Sequence, residues 1–125
     1  FLIYKVKLYI DNIYYGGIEM EDLKEINSDN IEQMINENNN LLIVFSNPDC
    51  GYCGLAKKNL GEIINDFPDL TIGECIVNDN PKLKEKYQIT SVPMFKLIKD
   101  GEVVYTDYGV VTANNLYYQL YSFLN

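Results

Sequence analysis

The sequence predicts an α/β domain in which a central mixed sheet of four to five strands carries helices on both faces. Three observations predict it. Leu41 to Phe45 is apolar at every position, as in a strand covered on both sides. Around it, short runs rich in branched residues alternate with segments whose apolar residues recur at helical spacing. Near the end, Asp100-Gly101 separates Met94–Ile98 from Val103–Tyr108, the strongest hairpin signal in the chain.

Taken in order, residues 1–20 read as an N-terminal β extension. Leu2–Ile10 and Ile13–Tyr15 are its strands, joined near Asp11-Asn12 and closed by Gly16-Gly17. Tyr4, Tyr9, Tyr14 and Tyr15 make it strongly aromatic. It is an added hairpin, an edge strand or an arm that pairs with another chain. The main domain takes residues 21–125. Leu23–Ile26 reads as a short strand. Ser28 or Asp29 then caps a helix with Ile31, Met34 and Ile35 on one side, and Asn38-Asn39-Asn40 ends it. After the Leu41–Phe45 strand, Ser46-Asn47-Pro48-Asp49 turns the chain. A helix follows Cys50 through Leu55, Leu60, Ile63 and Ile64 to about Asp66, with Gly61 as its weak point. Thr71–Val77 is the next strand, and Pro81 opens a short helix that reaches Tyr87. Beyond the hairpin and Gly109, Thr112 caps a last helix with Leu116, Tyr117, Leu120 and Phe123 or Leu124 turned inward.

With 125 residues, 47% of them hydrophobic, the chain can bury a core without staples. Ten basic against 18 acidic residues leave a net charge of -8, which argues against nucleic acid or an anionic membrane as the main partner. The acids are spread along the chain, as on a solvated surface. No stretch is long and apolar enough to span a bilayer. Lys5 and Lys7 alternate with apolar residues in the opening segment, which reads as a strand and not as a signal peptide. The start at Phe1 leads us to expect that an upstream segment was removed. The compartment is therefore open: cytoplasmic, or secreted or periplasmic if a targeting segment preceded Phe1. Three cysteines are an odd set, unlike a secreted disulfide framework.

The chemistry gathers at Cys50-Gly51-Tyr52-Cys53, between the apolar strand and the helix that follows it. Two cysteines three residues apart, once the chain turns helical, present their sulfurs on one face, close enough for a small disulfide ring. Unpaired N–H groups at a helix start favour a thiolate, so the first cysteine is placed to attack and the second to resolve. Two other readings compete. A zinc site needs four ligands, and the chain offers three cysteines and no histidine. A static structural disulfide of this spacing closes too small a loop to stabilise much. Cys75, alone in an apolar strand, reads as a small core residue.

The order of apolar strand, CGYC, helix, strand, Asn80-Pro81 helix, Ser91-Val92-Pro93, hairpin with Lys99-Asp100-Gly101-Glu102, Gly109 and terminal helix resembles the thioredoxin family. The resemblance runs from about Ile26 to Leu124. It implies a thioredoxin fold and a thiol-disulfide oxidoreductase acting on protein disulfides, with no bound cofactor, no metal, and a separate reductase or redox partner to recharge it. Position by position it implies Cys50 as nucleophile and Cys53 as resolving cysteine. Pro93 corresponds to the family's cis-proline, which turns the backbone of Val92 toward an extended substrate strand. Gly109 corresponds to a glycine of the same groove, to which Gly51 and Tyr52 contribute from the motif.

The chain departs from the family's WCGPC pattern. Asp49 stands before Cys50, where it either opposes the thiolate or is merely solvated in a turn. Tyr52 replaces proline, similar to the centres of bacterial disulfide isomerases and glutaredoxin-like proteins, and Ser46 replaces a tryptophan. The buried aspartate that serves the resolving cysteine in the family is Val44 here. Glu74, on the neighbouring strand where the family often has lysine, is a candidate replacement base if it points inward; as an outward residue it would only be solvated. Lys57 and Lys58 can assist a thiolate, pair with Glu62 or lie on a solvated face. The sequence thus points to a monomeric protein-disulfide reductase, with pairing through residues 1–20 as an option. The alternative is a thioredoxin-fold scaffold or adaptor whose role is binding.

Overall fold

The computed structural model describes residues 23–125 and, ahead of them, the pairing of two short strands. These are β1 (Tyr14–Tyr15) and β2 (Ile18–Glu19), antiparallel with Tyr14 opposite Glu19 and Tyr15 opposite Ile18. Ile13–Tyr15 was expected to pair back onto Leu2–Ile10, which lies outside the described residues. The described pairing runs forward across Gly16-Gly17 instead, and two glycines suit a two-residue hairpin connection.

Five strands form the central sheet. They are β3 (Lys24–Glu25), β4 (Asn40–Ser46), β5 (Thr71–Ile76), β6 (Met94–Lys99) and β7 (Glu102–Tyr108), in the order β3-β5-β4-β6-β7. β5 runs parallel to both β3 and β4, whereas β6 is antiparallel to β4 and to β7. The crossovers between parallel strands are helical. α1 (Ile31–Glu37) joins β3 to β4, and α2 (Cys53–Gly61) joins β4 to β5. α3 (Pro81–Lys86) leads from β5 to β6, and α4 (Ala113–Leu124) follows β7.

β4 is the centre of the sheet, and Leu41 to Phe45 are each 0% exposed. Alternation along it divides the core in two. Leu42 and Val44 pack with Ala56 and Leu60 of α2, Phe95 and Leu97 of β6, and Leu116 and Leu120 of α4. Leu41, Ile43 and Phe45 face the other way, with Ile31 of α1, Leu83 of α3 and Cys75. Helices therefore cover both faces.

Three local details differ from the sequence reading. Asn30, not Ser28 or Asp29, occupies the residue before α1, and the Asn27 side-chain oxygen accepts from the backbone N–H of Asp29 and of Asn30. An amide oxygen in an Asx turn thus holds the turn that precedes α1, which has no side-chain cap of its own. α2 begins at Cys53, so Cys50 lies in the turn before the helix; Ala56 N–H donates to Tyr52 O as the first helical bond closes. α2 also ends at Gly61, and Ile64–Asp66 is a separate 3-10 turn. Thr112 caps α4 as expected, its side-chain oxygen accepting from Asn115 N–H at 3.2 Å.

Candidate active site

Cys50 and Cys53 are joined in a disulfide with their Cα atoms 5.5 Å apart. β4 ends in the core, the turn through Pro48 and Asp49 brings the chain out, and α2 takes it back, so the pair sits where the chain crosses the surface. Cys50 is partly exposed and Cys53 is buried. The outer sulfur is therefore the one an incoming disulfide can reach. Asp49 is exposed in the turn beside it.

Two further segments face this pair. The Val92–Pro93 peptide is cis, and the Val92 carbonyl oxygen is 3.8 Å from the Cys50 sulfur. Gly109 N–H donates to Pro93 O at 2.9 Å, which ties the end of β7 to the start of β6. Gly109 has φ +79 with open space around it, so the backbone angle, not crowding, calls for glycine there. Tyr52 is 69% exposed and Tyr108, beside Gly109, is 65% exposed. Gly51, Tyr52, Val92, Pro93 and Gly109 are thus brought to one end of the sheet around the sulfurs.

Beneath the disulfide lies a polar cluster that single residues did not announce. Glu74 is the register partner of Val44, so the two side chains share a sheet face, the one covered by α2. Its side chain is only 17% exposed. Glu74 Oε2 accepts from the Ser46 hydroxyl at 2.6 Å and from the Lys57 ammonium at 2.7 Å. Ser46 is 1% exposed, and the Lys57 side chain is 12% exposed. Lys57 therefore reaches across to Glu74 and is neither the partner of Glu62 nor a solvated helix residue. The available signal was spacing: Lys57 is four residues after Cys53 and so on the same helix face. Ser46, Cys50, Cys53, Lys57, Glu74 and Ile76 line one cavity of about 410 Å³.

Cys75 faces away from all of this, fully buried. Burial first, and then the charge of adjacent Glu74, pushes its thiol up to about 11. Among the described residues, no cluster of three or more His, Cys, Asp or Glu side chains is placed to hold a metal, and no helix is long and apolar enough to cross a membrane.

The chain matches the thioredoxin family profile over residues 22–122. It belongs to the thioredoxin family. Thioredoxin-like protein YusE of Bacillus subtilis is 35% identical over 98 residues, which is 78% of this chain and 88% of that protein. A thioredoxin of Haemophilus influenzae is 30% identical over 108 residues, 85% of this chain and 97% of that one. Among solved structures, oxidised mitochondrial thioredoxin 3 of Saccharomyces cerevisiae superimposes with a TM-score of 0.68 at 25% identity, covering 80% of this chain and 92% of that one. The fold is the thioredoxin fold, and with its paired cysteines this member of the family is a thiol-disulfide oxidoreductase. The family acts on protein disulfides and works with reductase partners. No finding favours the scaffold or adaptor alternative.

Proposed function

We propose that this protein reduces protein disulfides, Cys50 attacking and Cys53 resolving, with Glu74 as the base for the resolving thiol. The observation that supports this reading best is the placement of the partly exposed Cys50 sulfur 3.8 Å from the Val92 carbonyl, with Cys53 buried behind it. Cys50 thiolate attacks a substrate disulfide; one substrate sulfur leaves as a thiolate and the other stays bound to Cys50. Cys53 then gives its proton to the Glu74 carboxylate and attacks the Cys50 sulfur. The second substrate sulfur leaves, and Cys50 and Cys53 are left oxidised. Two electrons have passed to the substrate, and a separate reductase returns them.

Gly51, Tyr52, Val92, Pro93 and Gly109 form the groove for the substrate strand. Val92 offers backbone hydrogen-bonding groups, and Tyr52 and Tyr108 offer aromatic surface at its rim. Residues 21–125 are the catalytic unit, and residues 1–20 are an appended β extension. The protein acts as a monomer, without nucleic acid.

Insulin reduction with a dithiol donor tests the assignment. Wild type is expected to turn over and C50S to be inactive; a C50S protein that still turned over would refute it. For Glu74, the single-turnover release of a mixed disulfide is the decisive rate. E74Q is expected to slow it at least about tenfold at neutral pH, and an unchanged rate would remove Glu74 from the mechanism.

A further inference from the structure

We propose that Asn59 and Asp107 are positioning residues for the substrate strand: their side chains pin the two ends of Tyr108–Val111, so that this wall of the groove is fixed before a disulfide arrives. This rests on the reading of Gly109 as part of that groove. Both residues act through the backbone between them and not on the sulfurs.

β7 ends at Tyr108 and α4 begins at Ala113, so residues 109–111 belong to neither a strand nor a helix. Gly109, at φ +79, adds backbone freedom where this stretch meets the cis peptide. Such a stretch needs anchors, and the chain supplies three. Gly109 N–H donates to Pro93 O at 2.9 Å, and the carbonyl of neighbouring Val92 is the one 3.8 Å from the Cys50 sulfur. On one side of Gly109, Asp107 Oδ1 accepts from Tyr108 N–H at 2.9 Å. On the other side, Asn59 Nδ2 donates to Val111 O at 2.9 Å. Asn59 stands six residues beyond Cys53 on α2 and 52 positions from Val111 in sequence. The wall is thereby tied to the helix of the resolving cysteine at one end and to the cis peptide near the other.

The core holds these anchors in turn. Asp107 and Tyr105 point to the same face of β7, and Asp107 Oδ2 accepts from the Tyr105 phenol at 2.8 Å. Tyr105 is buried, its ring 5.6 Å from that of Phe123 on α4. Burial first, and then the bond to Asp107, raises the pKa of this phenol, so it keeps its proton and remains the donor. With both carboxylate oxygens engaged, Asp107 is kept from turning away from Tyr108. Val111 is buried in the same core layer as Leu116 and Leu120, and loss of the Asn59 amide would take away the hydrogen bond of its carbonyl.

The clamped stretch presents apolar surface. Tyr108 and Val110 are exposed, on a backbone that is already ordered. A substrate strand that packs on them gives up less conformational freedom than one that must first order the wall. The effect belongs to binding and not to the exchange of electrons, because Cys50, Cys53 and Glu74 keep their own partners.

The test compares two substrates, a disulfide-bonded peptide and dithiobis-nitrobenzoate, a disulfide too small to span the groove, in wild type, N59A, D107A and D107N. N59A and D107A are each expected to raise KM for the peptide about fivefold with kcat unchanged, and to leave the rate with the small disulfide at the wild-type value. D107N keeps one acceptor oxygen for two donors and is expected to fall between wild type and D107A. If N59A or D107A does not fold, as judged by circular dichroism, N59S and D107N provide the same comparison. Peptide KM values equal to that of wild type in the folded variants, or equal losses with both disulfides, would overturn the role of Asn59 and Asp107. A wild type that reduced the small disulfide but not the peptide would overturn the reading of the groove and this one with it.

Discussion

Cys75 and Cys53 are both buried thiol positions on neighbouring elements, yet their surroundings assign them opposite fates. Cys53 adjoins a cavity with Lys57 in its wall, whereas Cys75 is packed among Phe45, Val77 and Leu83. With its thiol pushed up to about 11, Cys75 stays protonated across the neutral range. The reduced native protein is therefore expected to leave Cys75 unmodified by iodoacetamide at pH 8 and to alkylate it only on unfolding; modification of Cys75 in the native state would contradict this. The folded value lies above the ordinary 9.0, so the contribution of this thiol to stability is complete below pH 9 and declines as pH rises toward 11. Ser46 has a different task, because its hydroxyl satisfies a carboxylate drawn largely out of water. S46A is expected to lower unfolding free energy by roughly 1.5–3 kcal/mol, read by urea titration. Residue by residue, the sequence announced the sulfurs through their spacing and the Val92-Pro93 dipeptide through the resemblance to the thioredoxin family. It did not announce the contact between Lys57 and Glu74, which are 17 positions apart and meet only because α2 crosses over β5.

At the scale of elements, apolar patterning with turn and proline signals located the strands and α-helices of residues 23–125 but not the 3-10 turns Ile64–Asp66 and Val77–Asp79. Ahead of α1, the Asn27 amide oxygen accepts from the N–H groups of Asp29 and Asn30 and so fixes the turn that leads into the helix. The helix start moved from Cys50 to Cys53 because Cys50 N–H is held in a turn by Asn47 O. β5 carries a tight fit that composition does not reveal. A Cβ on Gly73 would overlap the side chain of Ile26, which is 0% exposed and has nowhere to retreat. G73A is expected to destabilise by about 1–3 kcal/mol, the usual cost of overpacking. T112A, which removes the α4 cap, is expected to cost about 1 kcal/mol. Thermal melts check both, and a G73A protein as stable as wild type would show that β3 yields at that point.

For the molecule as a whole, one sheet does two jobs. Its centre is sealed by apolar layers on both faces, and one end gathers the Cys50 turn, the Val92–Pro93 peptide and Gly109 into a reactive rim. The residues proposed for the site come from four separated stretches of sequence, Cys50–Lys57, Glu74, Val92–Pro93 and Gly109. A chain that begins at Glu21 is expected to unfold cooperatively and to reduce insulin at the rate of the full chain; loss of either property would make residues 1–20 part of the working unit. Disulfide reduction at this rim depends most on which sulfur meets the substrate. Incubation of C53S and C50S proteins with a disulfide-bonded peptide, followed by mass spectrometry, measures this directly. The expected result is a stable one-to-one mixed disulfide at Cys50 in C53S and no adduct in C50S. An adduct at Cys53 in C50S, with Cys50 of C53S left unmodified, would contradict it.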